Sequence, residues 1–402
     1  MNTKRHTPSH CIMSVATWGL ALLAMSGLTG CADSGQGGNT GQGGVASPVA
    51  PPTQHYAYVA NQTDNAISIY KIDTATGKLE ANGSVSVGPG TGPTLVAIDP
   101  SNRFAYVANS YSHNVSAYLI NTMTGALTPI GAPVGAGLNP TSLKVDPTGR
   151  FLYVANQHGG VSTFHIDSNT GVLTSIGPDV PAEVSPHSVA VEPTGRFVYV
   201  ASGPNFDPIS GLPLPSPNDI HAFSIHATTG VLTPVGVPVP APAIPVNITV
   251  DPSGKFAYVA SGISSSVTAF AINNTTGTLT LVGTLPTGGS APRAVAVESS
   301  GRFAYVVNVG SNNVSIFSIN ATAGTLPLGA LTPIPVNPVV AAPGADARFL
   351  TVDATGKFVY VTYFNSPYVS TFSINAVTGE LTHLGTEPTG AGSVGITVTN
   401  AL

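Results

Sequence analysis

The chain has 402 residues, 42% of them apolar and 8% charged, with 45 glycines, 35 prolines and a formal charge of −5 at neutral pH. So few charges among so many turn formers suit short strands joined by tight turns, argue against long helices and, with no basic patch anywhere, exclude a nucleic-acid-binding surface. Length alone would allow two or three domains.

Residues 1–30 read as an export signal: Lys4 and Arg5 in a polar start, then an apolar stretch around Val15 to Leu28 that Thr17, Gly19, Ser26 and Gly27 make too short and broken to span a membrane. Leu28-Thr29-Gly30-Cys31 resembles a bacterial lipobox, which implies cleavage before Cys31 and its diacylation; an ordinary signal peptide cut nearby is the alternative. Cys11 lies inside the signal, so the mature domain has no thiol for disulfides, cysteine catalysis or zinc-thiolate sites. Without Lys4 and Arg5 the balance is 11 cations against 18 acids, unfavourable for polyanions or acidic membranes as partners. Residues 31–54, rich in Gly, Gln, Ser and Pro, have little to bury and read as a flexible tether reaching about 25 Å. The membrane is thus a partner only through lipid on Cys31.

From residue 55 one motif recurs: YAYVAN at Tyr56, FAYVAN at Phe104, FLYVAN at Phe151, FVYVAS at Phe197, FAYVAS at Phe256, FAYVVN at Phe303 and FVYVTY at Phe358. Its central tyrosines, Tyr58, Tyr106, Tyr153, Tyr199, Tyr258, Tyr305 and Tyr360, are 48, 47, 46, 59, 47 and 55 residues apart, a period that suits one four-stranded unit. In the third unit, Leu143 to Val145 alternate apolar and polar, Asp146-Pro147-Thr148-Gly149 turns the chain, and Phe151 to Ala155 form a second strand. Val161 to Ile166 and Val172 to Ile176, joined by Asn169-Thr170-Gly171, complete an antiparallel meander.

A single such sheet cannot cover both faces, whereas a ring of them covers most and leaves only short outer edges. The first unit lacks the inner strand that precedes the others. Ser393 to Thr399 carries that strand's pattern with no unit after it, so the expected fold is an all-β, seven-bladed β-propeller over 55–402, closed by the C-terminal strand completing blade one. Asp99, Asp146, Glu192, Asp251, Glu298 and Asp353 start the first turn of blades two to seven, and Arg103, Arg150, Arg196, Lys255, Arg302 and Lys357 end it. Recurring once per blade, these twelve read as structural.

The loops that lead into the inner strands share one face with the loops between second and third strands. Two of them are enlarged, 203–217 in blade four and 333–347 leading into blade seven, and both rim the same mouth. Counting five residues back from each turn acid gives Thr94, Thr141, His187, Val246, Arg293 and Arg348, with Val394 for blade one, as the ring around the axial opening. His187, Arg293 and Arg348 are its only ionisable members and could converge on an anionic or carboxylate-bearing ligand; solvated rims bonded to loop carbonyls are the structural alternative. His113, His158, Asn205, Asp207 and Asn218 are secondary ligand-binding candidates on that face, and Asp219 a further acid. No convergent metal-ligand set, nucleophile elbow or phosphate loop is legible, so neither a metal nor another cofactor is expected.

The unit P-x-x-x-V-x-V-[DE]-P-x-G-R-F-x-Y-V-A-N, followed by N-x-V-S-x-F-x-I and T-G-x-L, resembles the lactonase-type propellers that include 6-phosphogluconolactonase-like proteins, and shares its signature with YVTN-type surface propellers. The resemblance covers about 54–399 and implies opening of a lactone by water, using basic and acidic side chains at the tunnel mouth. Pro186-His187 and Pro292-Arg293 match family positions, and Asp219 resembles a later acid of the pattern. Ala294 stands where the family has a histidine, and Val309 where a glutamate follows the asparagine, which removes the carboxylate that would activate water. The expected function is therefore a lipid-anchored, monomeric lactonase-like propeller of the cell envelope that binds a small molecule or an envelope protein at its mouth, with active lactone hydrolysis by His187, Asp219 or Asp207 with Arg293 and Arg348 as the alternative. Export also argues against phosphogluconolactone, which forms inside the cell.

Overall fold

The computed structural model describes residues 54–182, 185–204, 217–321, 327–335, 339–340 and 346–400. The chain divides into two units, Met1–Pro51 and Pro52–Leu402, and every described residue belongs to the second. The export signal, Cys31 and the tether up to residue 53 lie outside the described residues, as do Asn205, Asp207 and most of both enlarged loops.

Each repeat folds as an antiparallel sheet of four main strands, and seven such sheets are formed. The third blade runs Pro140–Val145, Phe151–Asn156, Val161–Ile166 and Leu173–Ser175 from the axis outward. Second strands such as FAYVAN and FLYVAN are buried at every position, because neighbouring blades cover both their faces. Blade one is completed from the far end of the chain: Ser393–Val398 pairs antiparallel with His55–Asn61, with Tyr58 opposite Thr397. Beyond it, the Tyr56 amide donates to Thr399 Oγ1 at 3.0 Å, and Asn400 and Asn102 bond each other through side chain and backbone.

Neighbouring blades are stapled by one repeated contact. Each central tyrosine hydroxyl donates to the carbonyl of the turn glycine that precedes the next blade's outer strand, as Tyr106 does to Gly171 at 3.1 Å and, across the closure, Tyr360 to Gly77 at 3.0 Å. The same holds for Tyr58, Tyr153, Tyr199, Tyr258 and Tyr305. The aromatic two residues before each tyrosine lies flat against that glycine: a Cβ on Gly171 would stand 2.4 Å from the Phe104 ring. Glycine is needed there for close approach as well as for its φ of 73°.

The turn acids act within their own turns and the arginines between blades. Asp99 accepts the amides of Ser101, Arg103 and Phe104, while the Arg103 guanidinium reaches the carbonyls of Ser168 and Asn169 in blade three. Arg150, Arg196 and Arg302 make the equivalent reach and lie over the phenylalanine that follows each of them.

Candidate functional site

All seven inner strands carry the same irregularity. Where each meets the second strand of its blade, one residue has no partner: Pro93 faces Asn109 and Leu95 faces Ala108, so Thr94 is extra. The corresponding residues are Thr141, His187, Val246, Arg293, Arg348 and Val394. A bulge of this kind re-aims the extra side chain. It turns all seven toward the axis, where they line one cavity of about 970 Å³.

The residue two before the bulge is held in the left-handed region in most blades, at Asn139, Ile244, Ala291 and Asp346 with φ between 48° and 57°, and at Gly92 and Gly392. The preceding blade fixes this geometry. The Asn139 amide donates to His113 Nδ1 at 3.1 Å and the Ile244 amide to Asn218 Oδ1 at 2.6 Å. Two of the secondary ligand candidates, His113 and Asn218, thus clasp the chain that leads into the next blade, and neither lines the cavity.

His187 is held in the wall by a hydrogen bond to the Pro204 backbone, while its Nε2 is buried with no hydrogen-bond partner. Burial, reinforced by the charges of Arg293 and His158, lowers its pKa to about 4, so the ring is neutral at pH 7. His158 is exposed beside the mouth and reaches the site through this electrostatic influence; it is not part of the lining.

Arg293 is solvent-exposed yet hemmed in by protein, as suits a side chain projecting into a channel. This crowding, with Arg348 adding repulsion and Asp346 opposing it, lowers its pKa to about 10, which leaves it cationic at pH 7. Arg348 donates from Nη2 to Asp346 Oδ2 at 2.8 Å, the single salt bridge among the described residues, and its guanidinium lies 4.8 Å from the Phe364 ring centre. Asn365 also donates to Asp346 Oδ2, at 3.4 Å. Asp346 Oδ1 and Arg348 Nε are buried without partners.

Asp346 is the residue that the sequence reading missed. It lies at the end of the enlarged loop leading into blade seven, two positions before the bulge, and its left-handed backbone (φ 48°) accompanies a place in the cavity wall. The loop was legible as unusual, but the count from the turn acids reached only the bulged position. Asp219, the acid singled out instead, begins the third strand of blade four opposite Ser202 and Pro240 and is not part of the lining.

With His187 neutral, the charged residues of the described lining are two arginines and one aspartate, an excess of one positive charge in a wall otherwise made of neutral side chains such as Ile244, Val246, Phe349, Asn247 and Thr141. Such a site favours an anion, or an oxygen on which negative charge develops.

A family model described as a lactonase, 7-bladed beta-propeller, matches residues 34–138, 132–203 and 217–340. No curated protein matches the chain. Among solved structures, a protein from Lactobacillus plantarum superposes with a TM-score of 0.71 at 20% identity, over 86% of this chain and 99% of its own. The periplasmic gluconolactonase of Pseudomonas aeruginosa does so with a TM-score of 0.70 at 21% identity and the same coverage. At these identities the likeness is one of fold.

Proposed function

The chain belongs to the lactonase family of seven-bladed β-propellers, and on that premise we propose that it hydrolyses a small lactone in the mouth cavity, as an exported protein anchored to the bacterial envelope through lipid on Cys31. One observation carries the reading: a carboxylate, Asp346, stands in the same cavity as Arg293, Arg348 and a neutral His187. Val309 supplies no carboxylate where the family pattern has a glutamate, and Asp346 brings one to the same cavity from the neighbouring blade.

In this reading Asp346 accepts a proton from water as the water oxygen adds to the lactone carbonyl, and Arg293 stabilises the resulting oxyanion. The ring C–O bond then breaks and the alkoxide takes its proton back from Asp346. One water is consumed, and the hydroxy acid ionises at pH 7 with release of a proton. Arg348 and Asn365 hold the carboxylate in place through Oδ2, and Oδ1 has no protein partner. The neutral ring of His187 forms part of the same wall. The lipobox-like sequence at Cys31 supports the envelope location, and the Pseudomonas relative is itself named as periplasmic.

A second reading, a binding module of the envelope without turnover, is favoured by the pairing of Asp346 with Arg348, which commits Oδ2 to an ion pair within the wall. Exposed Tyr111 and Leu138 on the same face, with Ile263 at the cavity wall, would suit an apolar ligand or partner. Proton release measured at constant pH over a panel of sugar and aliphatic lactones separates the two. The proposal expects catalysed release with at least one lactone, reduced roughly 10²-fold or more by Arg293→Ala. No catalysis with any lactone, alongside saturable binding of the corresponding hydroxy acid, would establish the binding module.

A further inference from the structure

The other end of the axis holds a second chamber of about 610 Å³. It shares Leu95, Ser142, Ser188, Asn247 and Phe349 with the mouth cavity, so the two are the ends of one axial channel. Its lining contains one charged residue among the described residues, Lys144.

Lys144 stands at a position the repeat makes comparable between blades. Opposite each central tyrosine lies one inner-strand residue, and in six blades it is alanine or threonine, as with Ala190, Thr249, Thr351 and Thr397. In blade three it is Lys144, opposite Tyr153. Blade packing does not call for it, because Leu143 and Val145 on either side are buried while Lys144 itself is exposed. Nor is the charge answered by protein, since the one salt bridge among the described residues joins Arg348 to Asp346 in the other chamber. The Lys144 side chain is exposed to the solvent of the chamber, while the walls around its amine partly desolvate it and lower its pKa. A cation that lines a chamber and has no anionic protein partner attracts a small anion from solvent.

We propose that Lys144 is the cation of a second ligand site, which takes a small carboxylate in the turn-side chamber with hydroxyls such as Thr249 and Thr351 facing the same space. The site does not depend on lactone hydrolysis, and a binding-only propeller would possess it equally.

The chain has only six lysines, so reductive ¹³C-methylation gives a spectrum simple enough to follow each amine. The Lys144 resonance is identified by its loss in Lys144→Met, whose melting temperature reports that the variant is folded. Titration of the full protein with sodium acetate and sodium gluconate at constant ionic strength is expected to shift the Lys144 resonance saturably, leave the other lysines unmoved, and raise its titration midpoint by about one unit, a tenfold preference of the anion for the charged amine. The response persists in Arg293→Ala. A Lys144 resonance that ignores both carboxylates, or follows inorganic phosphate alone, overturns the assignment. Disappearance of the response in Arg293→Ala overturns it too, by placing the anion in the mouth cavity.

Discussion

His187 keeps its ring neutral inside a wall that also holds a cationic arginine, and this has a consequence for stability. Its folded pKa of about 4 lies below the ordinary histidine value near 6.5, so between those two pH values the unfolded chain binds a proton that the folded chain refuses. The contribution is fully present above pH 6.5 and is lost as pH falls toward 4, up to roughly 3 kcal/mol. Denaturant unfolding of wild type and His187→Gln at pH 7.5 and pH 5 checks this: the wild type should lose more stability on acidification than the variant, and equal losses would refute the neutral, buried ring. The seven bulged residues were countable in the sequence because turn acid and bulge keep a constant spacing. Asp346 was not, because it acts from the strand's approach, where loop lengths vary. Asp219 was named both from its place on the mouth face and on family resemblance, and it is not among the residues that line the cavity.

At the level of the element, the T-G turn shows how a sequence signal can be right and incomplete. The turn glycines were legible as residues with positive φ, but a reading confined to one blade cannot see the aromatic ring that the preceding blade packs against them. Gly171→Ala should therefore cost about 3 kcal/mol or more, from a strained φ together with a Cβ forced into the Phe104 ring. Gly131→Ala, with a comparable φ of 64° and nothing within 4 Å of the new Cβ, should cost about 1 kcal/mol. Similar losses for the two in denaturant unfolding would mean that the interblade staple is unimportant. Tyr106→Phe removes only the hydrogen bond to Gly171 and should cost about 1–2 kcal/mol, since it leaves a buried carbonyl short of its donor.

For the whole molecule, circular closure was the most legible feature, because a strand missing at one end and surplus at the other has few places to go. A chain ending at Gly392 would leave His55–Asn61 as an open inner edge and uncover its side of the axis. It should lose much of a net stability on the order of 5–15 kcal/mol, read as loss of the cooperative thermal transition. A truncated chain melting within a few degrees of the full one would contradict closure by that strand. What closure achieves for function is convergence: residues from blades four, six and seven, far apart in the chain, share one cavity. Whether that convergence is catalytic is tested most directly by steady-state hydrolysis of a lactone substrate by wild type and Asp346→Asn, with circular dichroism confirming that both are folded. The account predicts a kcat lower by roughly 10²-fold or more in the variant with KM little changed. A folded Asp346→Asn protein turning over at the wild-type rate would contradict it.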